Sequence, residues 1–193
     1  MKFWLPPLIP ALAVCAFGSA HAEPATYELD PSHTYPSFEA DHMGISVWRG
    51  KFNTTTGTLV LDRAAKTGSV EAVIDIASVD FGHDKMNEHA LSADFFDVAK
   101  HPTASYKGQL TKFIDGAPTQ VVGELTLTGI TRPLTLDVQL FKCIPHPLNK
   151  RELCGADAVA VFQRDAYGLT AGKDYGFSMD VRLSIQMEAL KAE

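Results

Sequence analysis

The chain has 193 residues, a length typical of one domain, and its content of 46% hydrophobic and 21% charged residues is ordinary for a globular protein. Its formal net charge is −6, and no run of Lys and Arg is longer than two residues. Nucleic acids and anionic membrane surfaces attract clustered basic residues, so the sequence argues against both as partners.

The N-terminus has the pattern of a secretory signal sequence. Lys2 supplies a positive charge, residues 3–17 are apolar, and Ala20-His21-Ala22 matches a signal-peptidase site. We therefore predict cleavage after Ala22 and export of residues 23–193 as a single domain. The apolar run is shorter than the roughly 20 residues of a membrane span, so stable membrane insertion is not expected.

The cysteines fit an exported protein. A lipid anchor on Cys15 is an alternative to cleavage, but the bulky Val14 before it disfavours that. Otherwise Cys15 leaves with the signal sequence, and the remaining pair, Cys143 and Cys154, predicts a disulfide around a loop at residues 144–149. A metal site would need more ligands than these cysteines and the histidine between them, so none is predicted.

Hydrophobic and polar residues alternate through most of the mature sequence, which is typical of antiparallel strands with one dry face. For example, Leu134, Leu136, Val138 and Leu140 are predicted to share one face. Eight or more strands of this kind favour an all-β, closed antiparallel β-barrel, because closure removes exposed edges. The candidate strands are 26–30, 34–42, 46–54, 57–63, 69–77, 103–114, 119–128, 133–142, 156–165 and 176–188.

One stretch departs from this alternation. Met86, Ala90 and Leu91, with Phe95 one turn further on, have helical spacing, so we predict one short helix near residues 84–96.

A barrel of this size is either filled by its own side chains or holds one ligand. The residue pattern leaves both open, because large inward side chains can pack a core or line an apolar tunnel. These side chains are Phe38, Phe52, Tyr106, Phe162, Phe177 and Met179.

Several segments occur in an order that resembles the YceI family of bacterial periplasmic proteins. They are YELDPSHT at 27–34, GKF at 50–52, HALSADFFD at 89–97, HPTA at 101–104, GELTLTGITRP at 123–133 and FQRDAYGL at 162–169. The resemblance covers essentially all of residues 26–190.

The resemblance implies a lipocalin-like, extended antiparallel β-barrel of about eight strands that holds a polyisoprenoid chain, such as a polyprenyl phosphate or a quinone tail. It implies a periplasmic carrier, storage or stress-related protein that is not an enzyme and requires no cofactor besides the bound lipid. The alternative function is that of a quinone-linked redox partner or an enzyme acting on the lipid. The oligomeric state is left open, with a homodimer as one option. Many relatives have an Arg-Asp pair where this chain has Met86-Asn87, which indicates a different or more neutral head group.

Three histidines, His42, His89 and His101, are the polar candidates near the barrel mouth. His89, with Lys85 or Asn87, is a candidate contact for a head group, although a structural role is favoured. His33 is expected to stabilise a turn, and Arg164-Asp165 to form a structural ion pair.

The predicted ligand-binding residues combine these aromatic, histidine and methionine side chains. No catalytic residue is predicted, because the sequence lacks a nucleophile elbow and a dinucleotide-binding fingerprint. The ligand-binding set is Phe38, His42, Trp48, Phe52, Met86, His89, Leu91, Phe95, Phe96, Tyr106, Phe162, Tyr167, Phe177 and Met179.

Overall fold

The structure is a computed structural model that describes Met1 and residues 23–193. The predicted signal sequence lies outside the described residues. Among these residues, no helix combines the length and apolar character needed to cross a membrane.

Eleven strands and one α-helix account for most of the described chain. In chain order they are β1 (Ala25–Leu29), β2 (Tyr35–His42), β3 (Ser46–Phe52), β4 (Thr55–Asp62), β5 (Thr67–Asp75), β6 (Val79–Asp80), α1 (Asp84–Leu91), β7 (Thr103–Ile114), β8 (Ala117–Leu127), β9 (Ile130–Pro145), β10 (Glu152–Gln163) and β11 (Asp180–Lys191).

The strands close into an antiparallel ring. Its hydrogen-bonded order is β1-β4-β5-β7-β8-β9-β10-β11, and β11 pairs back with β1. The same edge of β11 that pairs with β1 also pairs with β2 further along. Next to β2 lies β3, and next to β3 lies β6. These three strands therefore prolong β1, β4 and β5 and add no further strand to the ring. The protein is therefore an eight-stranded, all-β barrel with one short helix, as the sequence predicted.

Alternation decides which residues face the interior. On β11, Val181 is buried and Leu183 is half-buried, whereas Arg182 and Ser184, which alternate with them, are exposed. The same two-residue period places Leu59 and Leu61 of β4 in the core.

A β-bulge in β9 overturns one predicted face. Asp157 pairs with Leu140 and Ala158 with Val138, so Gln139 is an extra residue in this strand. The bulge reverses the alternation after Val138, and Leu140 is therefore 56% exposed rather than inward. Phe141 takes the inward position instead.

The helix ends five residues earlier than the predicted boundary at residue 96. Ser92 adopts an extended conformation, and both its backbone N–H and its hydroxyl donate to the carbonyl of His89. The chain then folds back, and the N–H of Phe96 donates to the carbonyl of Ala90. Asn87 attaches the helix to the barrel, because its side-chain oxygen accepts a hydrogen bond from the N–H of Phe81 at 2.8 Å.

The predicted disulfide is confirmed. Cys143 and Cys154 are directly opposed in the β9–β10 pairing and are bonded. Ile144 and Pro145 belong to β9, so the connecting loop is shorter than predicted. The bond cross-links β9 and β10 close to the loop that connects them, and Cys154 is fully buried there.

Replacing Cys143 and Cys154 together by serine is expected to lower the free energy of unfolding by about 3 kcal/mol, because the short closed loop no longer restricts the unfolded chain. Urea denaturation followed by circular dichroism measures this. A reductant should destabilise the native protein but leave the double variant unchanged. Equal unfolding midpoints for the native protein and the variant would contradict this role of the disulfide.

Candidate functional site

The barrel encloses a cavity of about 500 Å³, which we call the tunnel. Its wall is almost wholly apolar and takes side chains from all eight strands of the ring. The tunnel reaches the surface, because its lining includes Trp48 and Tyr175, which are 38% and 81% exposed. The interior is therefore not filled by its own side chains.

Small residues leave this space open. The inward positions of β10 include Ala156 and Ala158, while Ala72 of β5 and Ala104 of β7 also line the tunnel. Leucine or phenylalanine at such positions would fill a barrel of this size. The larger lining side chains stand at other positions of the wall.

Phenylalanines form a continuous cluster along one side of the tunnel. The ring of Phe38 lies 5.6 Å from that of Phe52 and 5.3 Å from that of Phe81. Phe52 also contacts Phe96, whose ring lies 4.9 Å from that of Phe95. Phe95 and Phe96 thus anchor the segment after α1 to the barrel and line the tunnel as well.

A second aromatic group surrounds the tunnel end near the β2–β3 hairpin. The ring of His42 stacks on Trp48 at 4.2 Å and meets the edge of Phe177 at 5.1 Å. Gly172 permits this packing, since a Cβ there would lie 2.8 Å from the Phe177 ring. We call His42, Trp48, Tyr175 and Phe177 the mouth.

Eleven of the fourteen predicted ligand-binding residues line the tunnel. Leu91, Tyr167 and Met179 do not. Tyr167 is buried behind Phe162, with its ring edge-on at 5.3 Å, and Met179 is also buried. The eleven lining residues are Phe38, His42, Trp48, Phe52, Met86, His89, Phe95, Phe96, Tyr106, Phe162 and Phe177.

The histidines separate into different environments. His42 and His89 line the tunnel, whereas His101 lies against Gly129 and is not part of the wall. His33 lies in the turn after β1, where its ring is 2.7 Å from Asp30, and this hydrogen bond raises the pKa of His33. Asn87 already bonds the backbone of Phe81, so its side-chain oxygen is engaged in holding the helix.

Arg164 is a tunnel-lining residue that sequence reasoning did not place there. Its guanidinium is buried and donates to the carbonyls of Leu169 at 2.9 Å and Ala171 at 2.7 Å. The expected ion pair with Asp165 is not formed, since Asp165 pairs with Lys173. Burial lowers the pKa of Arg164. Its inward position could have been predicted by continuing the two-residue alternation of β10 from Phe162 to residue 164.

Two threonines in the wall were also missed. Thr34 and Thr55 are 2% and 1% exposed, and both line the tunnel. The hydroxyl of Thr34 donates to the carbonyl of Glu188 at 3.3 Å. The hydroxyl of Thr55 has no hydrogen-bond partner in the described part of the chain.

Potential metal ligands come together at one place in residues 23–193. This cluster contains Cys143, Glu152 and Cys154. Both sulfurs are used in the disulfide, which leaves the carboxylate as its one available ligand. Glu152 also accepts hydrogen bonds from Tyr27 at 2.6 Å and Arg63 at 2.7 Å.

These features define a class of protein, the closed antiparallel β-barrel with an internal apolar tunnel. The model of a family described as the YceI-like domain matches residues 27–189, so the chain belongs to the YceI-like family. UPF0312 protein ECA1782 of Pectobacterium atrosepticum is 31% identical over 176 residues, which is 90% of each chain.

Solved structures share the fold at low sequence identity. The Burkholderia cenocepacia protein BcnA superposes with a TM-score of 0.65 at 20% identity, covering 83% of this chain and 98% of that one. A polyisoprenoid binding domain from Saccharophagus degradans, implicated in plant cell wall breakdown, gives a TM-score of 0.63 at 17% identity and covers 87% and 99%.

Substituting Arg164→Lys should destabilise the fold by about 1–3 kcal/mol, because a lysine ammonium cannot bridge both carbonyls in the geometry of the guanidinium. Urea denaturation is the measurement. Arg132→Lys is the matched control, since Arg132 is exposed and its contact with the carbonyl of Ala166 is long, at 3.4 Å. Equal stability of the two variants would show that the hydrogen bonds of Arg164 to Leu169 and Ala171 do not stabilise the segment after β10.

Proposed function

We propose that the protein binds a long-chain isoprenoid lipid in the tunnel and acts as a periplasmic carrier or storage protein. The observation that carries this proposal is a cavity of about 500 Å³ with an almost wholly apolar wall inside a closed barrel. Such a wall offers little to a sugar, nucleotide or peptide, which need several polar partners.

The energetics favour a hydrocarbon chain as the occupant. Each methylene group transferred from water into the tunnel contributes about 0.8 kcal/mol. A long chain gains this many times over, which offsets the loss of its translational and conformational freedom. Branched isoprenoid units also fit a wall that contains both alanines and phenylalanines, because such a wall is irregular in width.

The comparisons support the isoprenoid as the ligand class. The chain belongs to the YceI-like family, and a solved structure with the same barrel is described as a polyisoprenoid binding domain. A polyprenyl phosphate and a quinone-like lipid both have tails of this kind.

Binding without reaction is part of the proposal. The tunnel wall supplies apolar contacts, and its buried Arg164 and Tyr106 are engaged with backbone carbonyls. A binding protein needs no reactive pair of side chains, so this arrangement suits a carrier.

The surroundings of the mouth support transfer to and from a membrane. Met43 and Ile45 at the tip of the β2–β3 hairpin are 53% and 78% exposed, next to Trp48. The predicted signal sequence would deliver the protein to the periplasm, where lipids must cross an aqueous space between two membranes.

The proposal is tested by identifying what the exported protein retains. Protein purified from the bacterial periplasm is extracted with organic solvent, and the extract is analysed by mass spectrometry. We expect a stoichiometric isoprenoid lipid, and we expect the extracted protein to take up a prenol or quinone. Protein that retains no lipid and takes up none would refute the proposal.

Filling the tunnel should block binding without unfolding the barrel. Ala158→Phe places a ring in the tunnel and excludes several methylene groups of the ligand, so affinity should fall at least about tenfold. Val161→Phe on the same strand is the control, because Val161 is 51% exposed. Uptake of a prenol by each variant is measured by fluorescence titration, and equal affinities would place the lipid outside the tunnel.

A further inference from the structure

Thr55 is a buried polar residue whose hydroxyl forms no hydrogen bond within the described part of the chain. It begins β4, is 1% exposed and lines the tunnel. Its Oγ1 is the one buried side-chain oxygen or nitrogen without a hydrogen-bond partner among the described residues. A buried hydroxyl in this state is unfavourable, because it has lost its hydrogen bonds to water.

The other buried polar side chains of the wall are satisfied by backbone groups. Thr34 bonds the backbone of Glu188, Tyr106 donates to the carbonyls of Val121 and Leu134, and Arg164 donates to two carbonyls. Thr55 is the exception, although valine would give the same shape without an unpaired oxygen. The packing of the barrel therefore does not explain a hydroxyl at this position.

We propose that Thr55 hydrogen-bonds a neutral polar atom of the bound lipid, such as a hydroxyl, carbonyl or amide group, inside the tunnel. This inference rests on the proposed lipid-binding function and specifies the kind of lipid. It also places the polar group against the inner wall of the barrel rather than at His89, where the sequence suggested a head-group contact.

The surroundings of Thr55 favour a neutral group over a phosphate. Its partner on β5 is Ile74, which in turn pairs with Ala104, and Leu59 follows on the inward face of β4. An ionised phosphate buried among such residues would need a cation beside it. Arg164 is the one Lys or Arg lining the tunnel in the described chain, and it already bonds two carbonyls after β10, which β1 and β11 separate from β4.

The inference is tested with three probes of equal chain length. They are geranylgeraniol, the hydrocarbon in which its hydroxyl is replaced by hydrogen, and geranylgeranyl phosphate. Binding to residues 23–193, freed of lipid by solvent extraction, is followed by the fluorescence of Trp48. This is the one tryptophan in that range, and it lies at the mouth. Native protein should bind the alcohol more tightly than either the hydrocarbon or the phosphate.

The substitution Thr55→Val removes the hydroxyl and keeps the shape. It should weaken binding of the alcohol about 3- to 10-fold, the range of one net hydrogen bond, and leave binding of the hydrocarbon unchanged or tighter. Thr55→Ser keeps a hydroxyl group at this position and should therefore keep the preference for the alcohol. Thr56→Val, an exposed neighbour on the same strand, should behave as native protein.

Two failures are distinguishable. If native protein binds none of the three probes, the lipid-binding function fails and this inference fails with it. If the probes bind but Thr55→Val affects the alcohol and the hydrocarbon alike, the role of Thr55 is refuted while lipid binding stands. Tighter binding of the phosphate than of the alcohol would refute the neutral group.

Discussion

The barrel depends on one edge of β11, which pairs with both β1 and β2. Leu29 faces Ala189 and Tyr35 faces Gln186, so residues 30–34 form a bend between the two pairings. The hydroxyl of Thr34 stabilises this bend, because it lies 3.3 Å from both the backbone N and the backbone O of Glu188. Because the barrel is closed, all inward side chains project into one enclosed interior. The volumes of those side chains then determine how much of that interior remains as the tunnel.

An open apolar interior is an unfavourable state for a folded protein, because side chains that face empty space lose dispersion contacts on one side. The small inward residues of β10, Ala156 and Ala158, create such a space instead of closing it. A hydrocarbon ligand restores the missing contacts. The wall is therefore adapted to an occupant of low polarity, and the disulfide and the paired strands supply the stability that the unfilled interior does not.

The sequence predicted the part of the structure that follows from alternation. The inward positions of β11, the closed barrel and most of the lining phenylalanines follow a two-residue period that is visible in the chain. The bulge at Gln139 was not predictable, since an extra residue in a strand leaves no compositional mark, and it exchanged Leu140 for Phe141 in the wall. The early end of α1 depends on Ser92, whose hydrogen bonds to His89 compete with another helical turn.

The polar residues of the tunnel were missed for a related physical reason. A threonine or arginine in an alternating strand is normally assigned to the wet face, and only its hydrogen-bond partners in the folded barrel make the inward position tolerable. Arg164 is inward because the chain after β10 turns back and presents two carbonyls to it. Thr55 has no such partner among the described residues, so its inward hydroxyl is explained if the occupant of the tunnel supplies one. The least predictable residue of the wall is thus the one that says most about the ligand.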